Sequence, residues 1–338
     1  MKILAPFSSK EEVSPMIDAG ADELYCGIIP PRWHKRYSAL EILSRRGGFE
    51  SNFSSFADLK EAIAISHSKK VPVFVALNVP YVTEQYPFIL KIVNKLCQIG
   101  VDAFIVADIG LLLLLKDSKI KKEIHISTLG NVFNSKTVKF YKKLGVKRIV
   151  LPRHLTLAEM NELIKQSQCC NIEFEAFILN TLCHNIDGLC HFFHNIILQP
   201  KDSVNSLDNI QIRHTYLTAL RGSGCEIKFS RQLFNAKTKK IISNKPINFG
   251  DMREGKKKYS YACGICQVPE MEKSGIKYLK IVERGRSAKE KLKFVQLLRR
   301  SLDLLKKEIK IDEYRIRAKK IYQEVFNEDC SKAACYYL

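Results

Sequence analysis

Gln98-Ile99-Gly100-Val101-Asp102-Ala103-Phe104-Ile105-Val106-Ala107 holds a helix end, a turn and a strand start. Gly100 closes the helix, because glycine enters the left-handed C-cap conformation without steric cost. Val101 is the apolar contact that follows such a cap. Residues 103–107 form a short, unbroken apolar run, the mark of a strand buried on both faces. Upstream, Ile89, Ile92, Val93 and Leu96 recur at helical spacing. The stretch therefore reads as helix, glycine cap, buried strand.

The same grammar returns along the chain. Asp18-Ala19-Gly20-Ala21-Asp22, Lys143-Leu144-Gly145-Val146-Lys147 and Lys273-Ser274-Gly275-Ile276-Lys277 each place a glycine and an apolar residue before an apolar run. Strands are predicted at 2–5, 23–26, 71–77, 103–107, 123–127, 148–151, 172–178 and 278–283. Helical patterns fill the gaps, as in residues 56–68, where Leu59, Ala62, Ile63 and Ile65 share one face. Repeated βα units imply parallel strands joined by right-handed crossovers. Eight of them predict an α/β fold, a (β/α)8 TIM-type barrel, with chemistry at the C-terminal ends of the strands. An open, doubly wound sheet is the alternative.

Residues 195–262 break the rhythm with polar turn clusters at 199–206 and 244–250. They are read as a small β-rich subdomain inserted between strands seven and eight. Residues 1–194 are then the first part of the barrel, and 263–325 its last part with a long basic C-terminal helix over 287–325. Residues 326–338 are the tail, and 329–338, with Cys330 and Cys335, read as loosely attached.

Composition narrows the function. The chain has 338 residues, 46% hydrophobic and 27% charged, which excludes a disordered chain. The longest apolar run, 109–115, is too short to span a bilayer. Residues 1–6 lack the apolar stretch of a secretory signal. The expectation is a soluble cytoplasmic protein. Fifty-five Lys and Arg stand against 35 Asp and Glu, a net charge of +20. Residues 221–320 alone hold 28 basic and 11 acidic side chains. Such a field attracts polyanions, RNA among them, although solvated lysine-rich helix faces produce it as well. The stretch 32–46 interleaves Trp33, His34, Lys35, Arg36, Tyr37, Arg45 and Arg46, a pattern suited to base stacking and phosphate contact.

Eleven cysteines are many for a reducing compartment, where clustered thiols are read first as metal ligands or nucleophiles. Cys183 and Cys190 follow the seventh predicted strand. Cys263 and Cys266 form a C-x2-C shortly before the eighth. In a barrel both pairs face the same end, and four soft thiolates suit iron–sulfur or zinc. Cys225 is a spare donor. His184, His191 and His194 flank the first pair and suit hydrogen bonding to its sulfurs.

Several motifs together resemble peptidase family U32, the collagenase-like peptidases. They are Leu4-Ala5-Pro6, the run from Asp18 to Gly27, Asn52-Phe53-Ser54, Val75-Ala76-Leu77-Asn78, Gly100 through Asp108, and His125-Ile126-Ser127-Thr128 with Asn131-Val132-Phe133-Asn134. The run from Leu279 to Arg286 looks like the family's late Lys-Ile-x-Gly-Arg segment. The resemblance covers about residues 1–300 apart from the insertion. It implies a barrel-like catalytic domain and, in many members, a 4Fe–4S cluster on four cysteines. Cys183 and Cys190 match the first pair, and Cys263 and Cys266 look like the closing pair of one subgroup. The wide gap between the pairs departs from members whose third cysteine soon follows the second. The resemblance also implies hydroxylation of tRNA or rRNA bases without oxygen, with a small anionic co-substrate such as prephenate. In other members it implies hydroxylation of quinone precursors by two paired subunits.

Candidate catalytic residues fall at or after predicted strand ends: Asn78, Asp108, His125, Arg153 and Arg284, with Ser127 and Thr128 beside them. Arg153 and Arg284 suit bidentate pairing with carboxylate or phosphate. An Asp or Ser in such a place also caps the next helix, and His125 also fits a packed core position. The chain has no G-x-S-x-G and no H-E-x-x-H. The expectation is an iron–sulfur-dependent enzyme hydroxylating a base in tRNA or rRNA. The rivals are a collagenase-like peptidase, a quinone-precursor hydroxylation factor, and a non-catalytic, metal-stapled RNA-binding module.

Overall fold

The computed structural model describes residues 1–37, 43–118, 120–179, 187–189, 229–234, 241–247, 262–307, 309–330 and 335–337. Ten strands are found among them. They are β1 (Lys2–Pro6), β2 (Glu23–Cys26), β3 (Val73–Leu77), β4 (Ala103–Val106), β5 (Glu123–Ile126), β6 (Arg148–Val150), β7 (Glu173–Leu179), β8 (Phe229–Phe234), β9 (Ile241–Ile247) and β10 (Tyr278–Ile281). Eight close into a barrel in the order β1-β10-β7-β6-β5-β4-β3-β2, every pair parallel. The closing pair is β1–β10, with Lys2 opposite Tyr278 and Leu4 opposite Lys280. That closure removes the open-sheet alternative.

Two compact units are present, Met1–Cys190 with Ser260–Leu338, and His191–Tyr259. The first contains the barrel. Within the second, β8 and β9 form an antiparallel hairpin.

Gly100 has φ +99°, the conformation that ends the helix Tyr86–Gln98 and aims the chain into β4. That helix buries Ile89, Ile92, Val93 and Leu96. Each such side chain contributes about 1.5–3 kcal/mol on leaving water. Inside the barrel, Leu4, Tyr25, Phe74, Ala76, Ala103 and Ile105 pack together.

The barrel interior also holds charge. Glu23 and Arg148, which open β2 and β6, form a two-pronged pair at 2.6 and 3.0 Å. Arg148 reaches Glu175 at 3.2 Å, and Lys280 meets the other oxygen of Glu175 at 3.0 Å. The Arg148 guanidinium lies 3.3 Å from the centre of the Tyr278 ring, and the Lys280 ammonium 4.4 Å from that of Tyr25. Burial alone would raise the Glu175 carboxyl, but Lys280 and Arg148 carry it below its ordinary range. All four charged groups are buried, so each needs its partners to offset lost hydration.

Three expectations are corrected. The pattern over 287–325 is two helices, Ala288–Leu305 and Ile311–Phe326. The first stops where Lys306, Lys307 and Lys310 interrupt its apolar stripe. The break lets Tyr314, Ala318 and Tyr322 of the second be buried as well. Residues 335–337 are not loosely attached. Tyr336 is 3% exposed and Tyr337 donates its hydroxyl to the Phe177 carbonyl at 2.6 Å. Trp33 is not offered for base stacking. It lies in the helix Pro31–Tyr37 and is wholly buried against Tyr37 and Phe88, because its apolar area outweighs the cations beside it. Among the described residues no helix is long and apolar enough to cross a membrane.

Candidate active site at the barrel mouth

The C-terminal ends of the strands gather an arginine-rich mouth. Arg284 follows β10 by three residues and is 2% exposed. Its Nη2 donates to Ser44 Oγ at 2.6 Å, while Nε and Nη1 are buried without a hydrogen-bond partner. No carboxylate pairs with it in any described ion pair. Burial pushes its pKa down to about 10, still far above neutrality, so the guanidinium stays charged. A buried cation with two idle donors is costly on its own. Its backbone is fixed by Lys291, whose ammonium donates to the Arg284 carbonyl at 2.8 Å and to Glu12 at 2.7 Å.

Gly27, just past β2, makes room for this guanidinium. A Cβ there would stand 2.6 Å from Arg284 Nη1 and would collide with Asn52 Oδ1. Asn52 in turn holds the loop above, donating to the carbonyls of Arg46 and Gly48, both at 2.8 Å. Arg45 has a buried Nη2 without a partner. Arg46 faces Glu283 at 3.8 Å, and Glu283 also binds Arg286. Glu283 has φ +68°, a left-handed conformation that a non-glycine residue adopts at a cost of about 1–2 kcal/mol.

The other candidates take distinct places. Asn78 follows β3 and bridges the mouth, donating to Ser127 Oγ at 3.0 Å and accepting from the Arg45 amide at 3.1 Å. Asp108 caps the helix Ile109–Asp117, accepting from the Leu111 amide at 2.6 Å, and takes hydrogen bonds from the Tyr86 hydroxyl and the Tyr81 amide. Its carboxylate is fully engaged in holding loops. Arg153 binds Asp187 through its amide and Nε, each at 3.1 Å, and through Nη2 at 2.5 Å. It is thus committed to a carboxylate of this chain. His125 lies inside the barrel on β5, wholly buried against Phe74, with Nδ1 unpartnered and Nε2 3.5 Å from Glu123. Burial pushes its pKa down, so it is neutral near pH 7. Arg284, Asn78 and Arg45 are the groups the structure brings to the mouth.

Cys183, Cys190 and Cys225 lie outside the described residues, as do His184, His191 and His194. Between Cys183 and Cys190 in sequence, the Asp187–Leu189 turn is described. Asp187 is pinned by Arg153, and a Cβ on Gly188 would collide with Asn131. Cys263 and Cys266 sit on a turn against the end of β7. Cys263 bridges to Leu179, and the Gly264 amide donates to the Ile178 carbonyl at 2.8 Å. Tyr314 braces this turn through the Ile265 carbonyl. Both thiols are free, and burial raises their pKa. Among the described residues no three His, Cys, Asp or Glu side chains already form a metal-holding group. In kind and place the two thiols suit an iron–sulfur or zinc site, because they are soft donors beside the C-terminal end of β7. Cys26, at the end of β2, is wholly buried, and burial raises its pKa as it raises that of Cys263.

Sequence reading missed Ser44, Asn52 and Asp187. Asn52 stands in the motif Asn52-Phe53-Ser54 without any sign of its role. Neither periodicity nor spacing marks residues that act through loops folding back over a mouth.

A sequence model described as peptidase family U32 matches residues 8–337. A tRNA hydroxylation protein P of Haemophilus influenzae is 29% identical over 189 residues, covering 56% of this chain and 38% of that protein. A 23S rRNA 5-hydroxycytidine synthase of Escherichia coli is 28% identical over 244 residues, 72% of this chain and 34% of that protein. A collagenase of Porphyromonas gingivalis is 25% identical over 240 residues, 68% of this chain and 53% of that protein. The chain thus spans between about a third and a half of the length of these relatives.

Proposed function

The chain belongs to peptidase family U32, an enzyme family, and on that premise we propose that it hydroxylates a base in tRNA or rRNA without oxygen, using an iron–sulfur cluster. The observation that carries this reading is Arg284. A charged guanidinium is buried on the mouth with two unused donors, which is the recognition half of a site for a small carboxylate or phosphate. A co-substrate of the prephenate class has that chemistry. The relatives named for tRNA and rRNA hydroxylation support the substrate, and so does the net charge of +20. The setting is then cytoplasmic, and pairing with a second subunit of the same family fits the reading.

When bound, the cluster supplies one-electron chemistry at the mouth. Cys263 and Cys266 would hold it, together with Cys183 and Cys190. The chain's own residues do the rest. Arg284 binds and orients the anion, and the buried, unpartnered Nη2 of Arg45 is a second donor on the same mouth. Asn78 and Asn52 fix the Arg45–Gly48 loop that covers it. Arg153, through Asp187, holds the turn that lies between the first two cysteines.

RNA from a strain lacking the gene, digested to nucleosides and weighed, tests the reading. A nucleoside one oxygen heavier than its parent should vanish. The wild-type gene should restore it, Arg284→Met should not, and Arg284→Lys should restore it weakly. Unchanged nucleosides in the deletion strain would overturn the RNA assignment.

A further inference from the structure

We infer that the exposed side of the helix Ser135–Lys143 is a docking face for RNA. Lys136, Lys139 and Lys143 take backbone phosphates there, and Phe140 takes an unpaired base. The face rests on the RNA substrate of the proposed function and adds where that RNA lies.

The helix, SKTVKFYKK, holds four lysines and no carboxylate. Ser135, Val138 and Tyr141 form its buried side. Lys136, Lys139, Phe140 and Lys143 stand at i, i+3, i+4 and i+7 and share the opposite side, where all four are exposed. Among the described residues no carboxylate pairs with any of the four lysines, and Lys142 reaches only the Asn171 carbonyl, at 3.4 Å. The two C-terminal helices differ. Their arginines, Arg299, Arg300, Arg315 and Arg317, are each held by a carboxylate. Guanidinium charge there is neutralised within the chain, whereas the charge of Ser135–Lys143 is open to a polyanion.

Phe140 is 44% exposed. A lone exposed aromatic is ordinary on a protein surface. This ring, however, stands among three cations and is held in T-shaped contact with Tyr141, centroids 5.3 Å apart. Tyr141 is itself fixed, its hydroxyl donating to the Gly130 carbonyl at 2.9 Å. Aromatic surface between phosphate-binding cations is how unpaired nucleic acid is held. A lipid surface calls for several apolar side chains on one helix face, and Phe140 is the single one here.

Position ties the face to the mouth. Asn134 caps the helix, accepting from the Lys136 and Thr137 amides at 3.1 and 3.0 Å. The loop before it begins at Ser127, which accepts from Asn78 on the mouth. Helices of a parallel barrel start from the C-terminal ends of the strands, so the Lys136 end lies toward the mouth. Lys136 to Lys143 span about 10 Å of helix axis, the length of about three phosphates on one strand of a duplex. RNA laid along them runs to the mouth.

Fluorescence anisotropy over a salt series tests this on full-length protein purified without oxygen. The probes are bulk tRNA and, separately, total rRNA from a strain lacking the gene, each labelled at the 3′ end. The triple variant Lys136→Gln, Lys139→Gln, Lys143→Gln should bind about tenfold or more weakly at low salt. Its slope of log affinity against log salt should shrink by about 2–3, as loss of three phosphate contacts requires. Phe140→Ala should weaken binding about tenfold with the slope unchanged. Lys306→Gln, Lys307→Gln, Lys320→Gln is the charge-matched control and should bind as the wild type does. Circular dichroism and thermal unfolding check each fold, and Lys139→Glu replaces the triple variant should that fail to fold.

Equal losses in the triple variant and the control overturn the inference, since net charge alone would then act. So does a wild type that binds neither probe, or a triple variant that loses phosphatidylserine vesicles but keeps RNA. Nucleoside masses separate this outcome from that of the proposed function. If the triple variant binds RNA and restores the modified nucleoside as the wild type does, the face is wrong and the reaction stands. If the face binds RNA as predicted but no nucleoside differs between the strains, the face stands and hydroxylation falls.

Discussion

Arg153 holds Asp187 with three hydrogen bonds, from its amide, Nε and Nη2. The pair joins the loop after β6 to the turn between Cys183 and Cys190 in sequence. Asp187 is almost wholly buried, and Arg153, beside it, holds its carboxyl below the usual range although burial acts to raise it. Removing one partner strands the other charge. Arg153→Met should cost about 3–5 kcal/mol, as buried ion pairs do when broken, and Asp187→Asn less, since the amide oxygen still accepts. Urea unfolding checks both. A loss below about 1 kcal/mol for Arg153→Met would show that the pair is solvated.

Arg284 should behave in the opposite way. Among the described residues it is a buried cation without a carboxylate partner, so its removal also removes a desolvation cost. Arg284→Met should leave the melting temperature unchanged or raise it. It should also abolish the stabilisation that malonate or phosphate gives the wild type. Strong destabilisation without anion would mean that the guanidinium is structural.

Gly27 and Glu283 bracket that guanidinium. Gly27→Ala puts a methyl 2.6 Å from Arg284 Nη1. It should weaken malonate binding severalfold and cost about 1–3 kcal/mol through overpacking. Glu283 holds a positive φ at the place where a Lys-Ile-x-Gly-Arg segment has glycine. Glu283→Gly should relieve that strain and withdraw a carboxylate from Arg46 and Arg286. Anion affinity should rise with little change in stability. Calorimetric titration distinguishes both from variants that merely unfold.

Acid should weaken the barrel through His125. Burial holds its folded pKa below the ordinary value of 6.5, so the folded state prefers neutral imidazole. That contribution is fully present above pH 6.5 and is lost as pH falls toward the folded value, because protonation then favours the unfolded chain. Glu175 adds to the loss at lower pH. Its folded pKa lies below the usual carboxylate range, so its pairing is lost as protons reach it. His125→Gln should flatten the stability profile between pH 6.5 and the folded pKa. An unaltered profile would place the proton uptake elsewhere.

The barrel was legible because its signals are local. Glycine caps at 20, 100, 145 and 275 and short apolar runs are written within a few residues each, and the strand at 23–26 agrees to the residue. Strand ends elsewhere slid by one or two positions, since register rather than composition ends a strand. The two helices in 287–325 share one sequence pattern because three lysines and a glutamate do not break a helix by propensity; burial of Tyr314 and Tyr322 does. Arg284 was visible as an arginine after a strand. Its lack of a carboxylate was not, because partners such as Ser44 are 240 residues away. Arg153 carried the same sequence signal and proved to be paired. Tyr337 gives no sequence sign that it is bound to β7, nor Tyr336 that it is buried.

The proposed reaction is hydroxylation of a base in RNA. Protein purified without oxygen, incubated with RNA from the deletion strain and a small carboxylate oxygen donor, tests it most directly by nucleoside mass. A nucleoside one oxygen heavier, formed by the wild type and not by Arg284→Met, is the predicted result. Unmodified RNA, with cleavage of a peptide substrate by the same preparation, would contradict it and make the chain a peptidase.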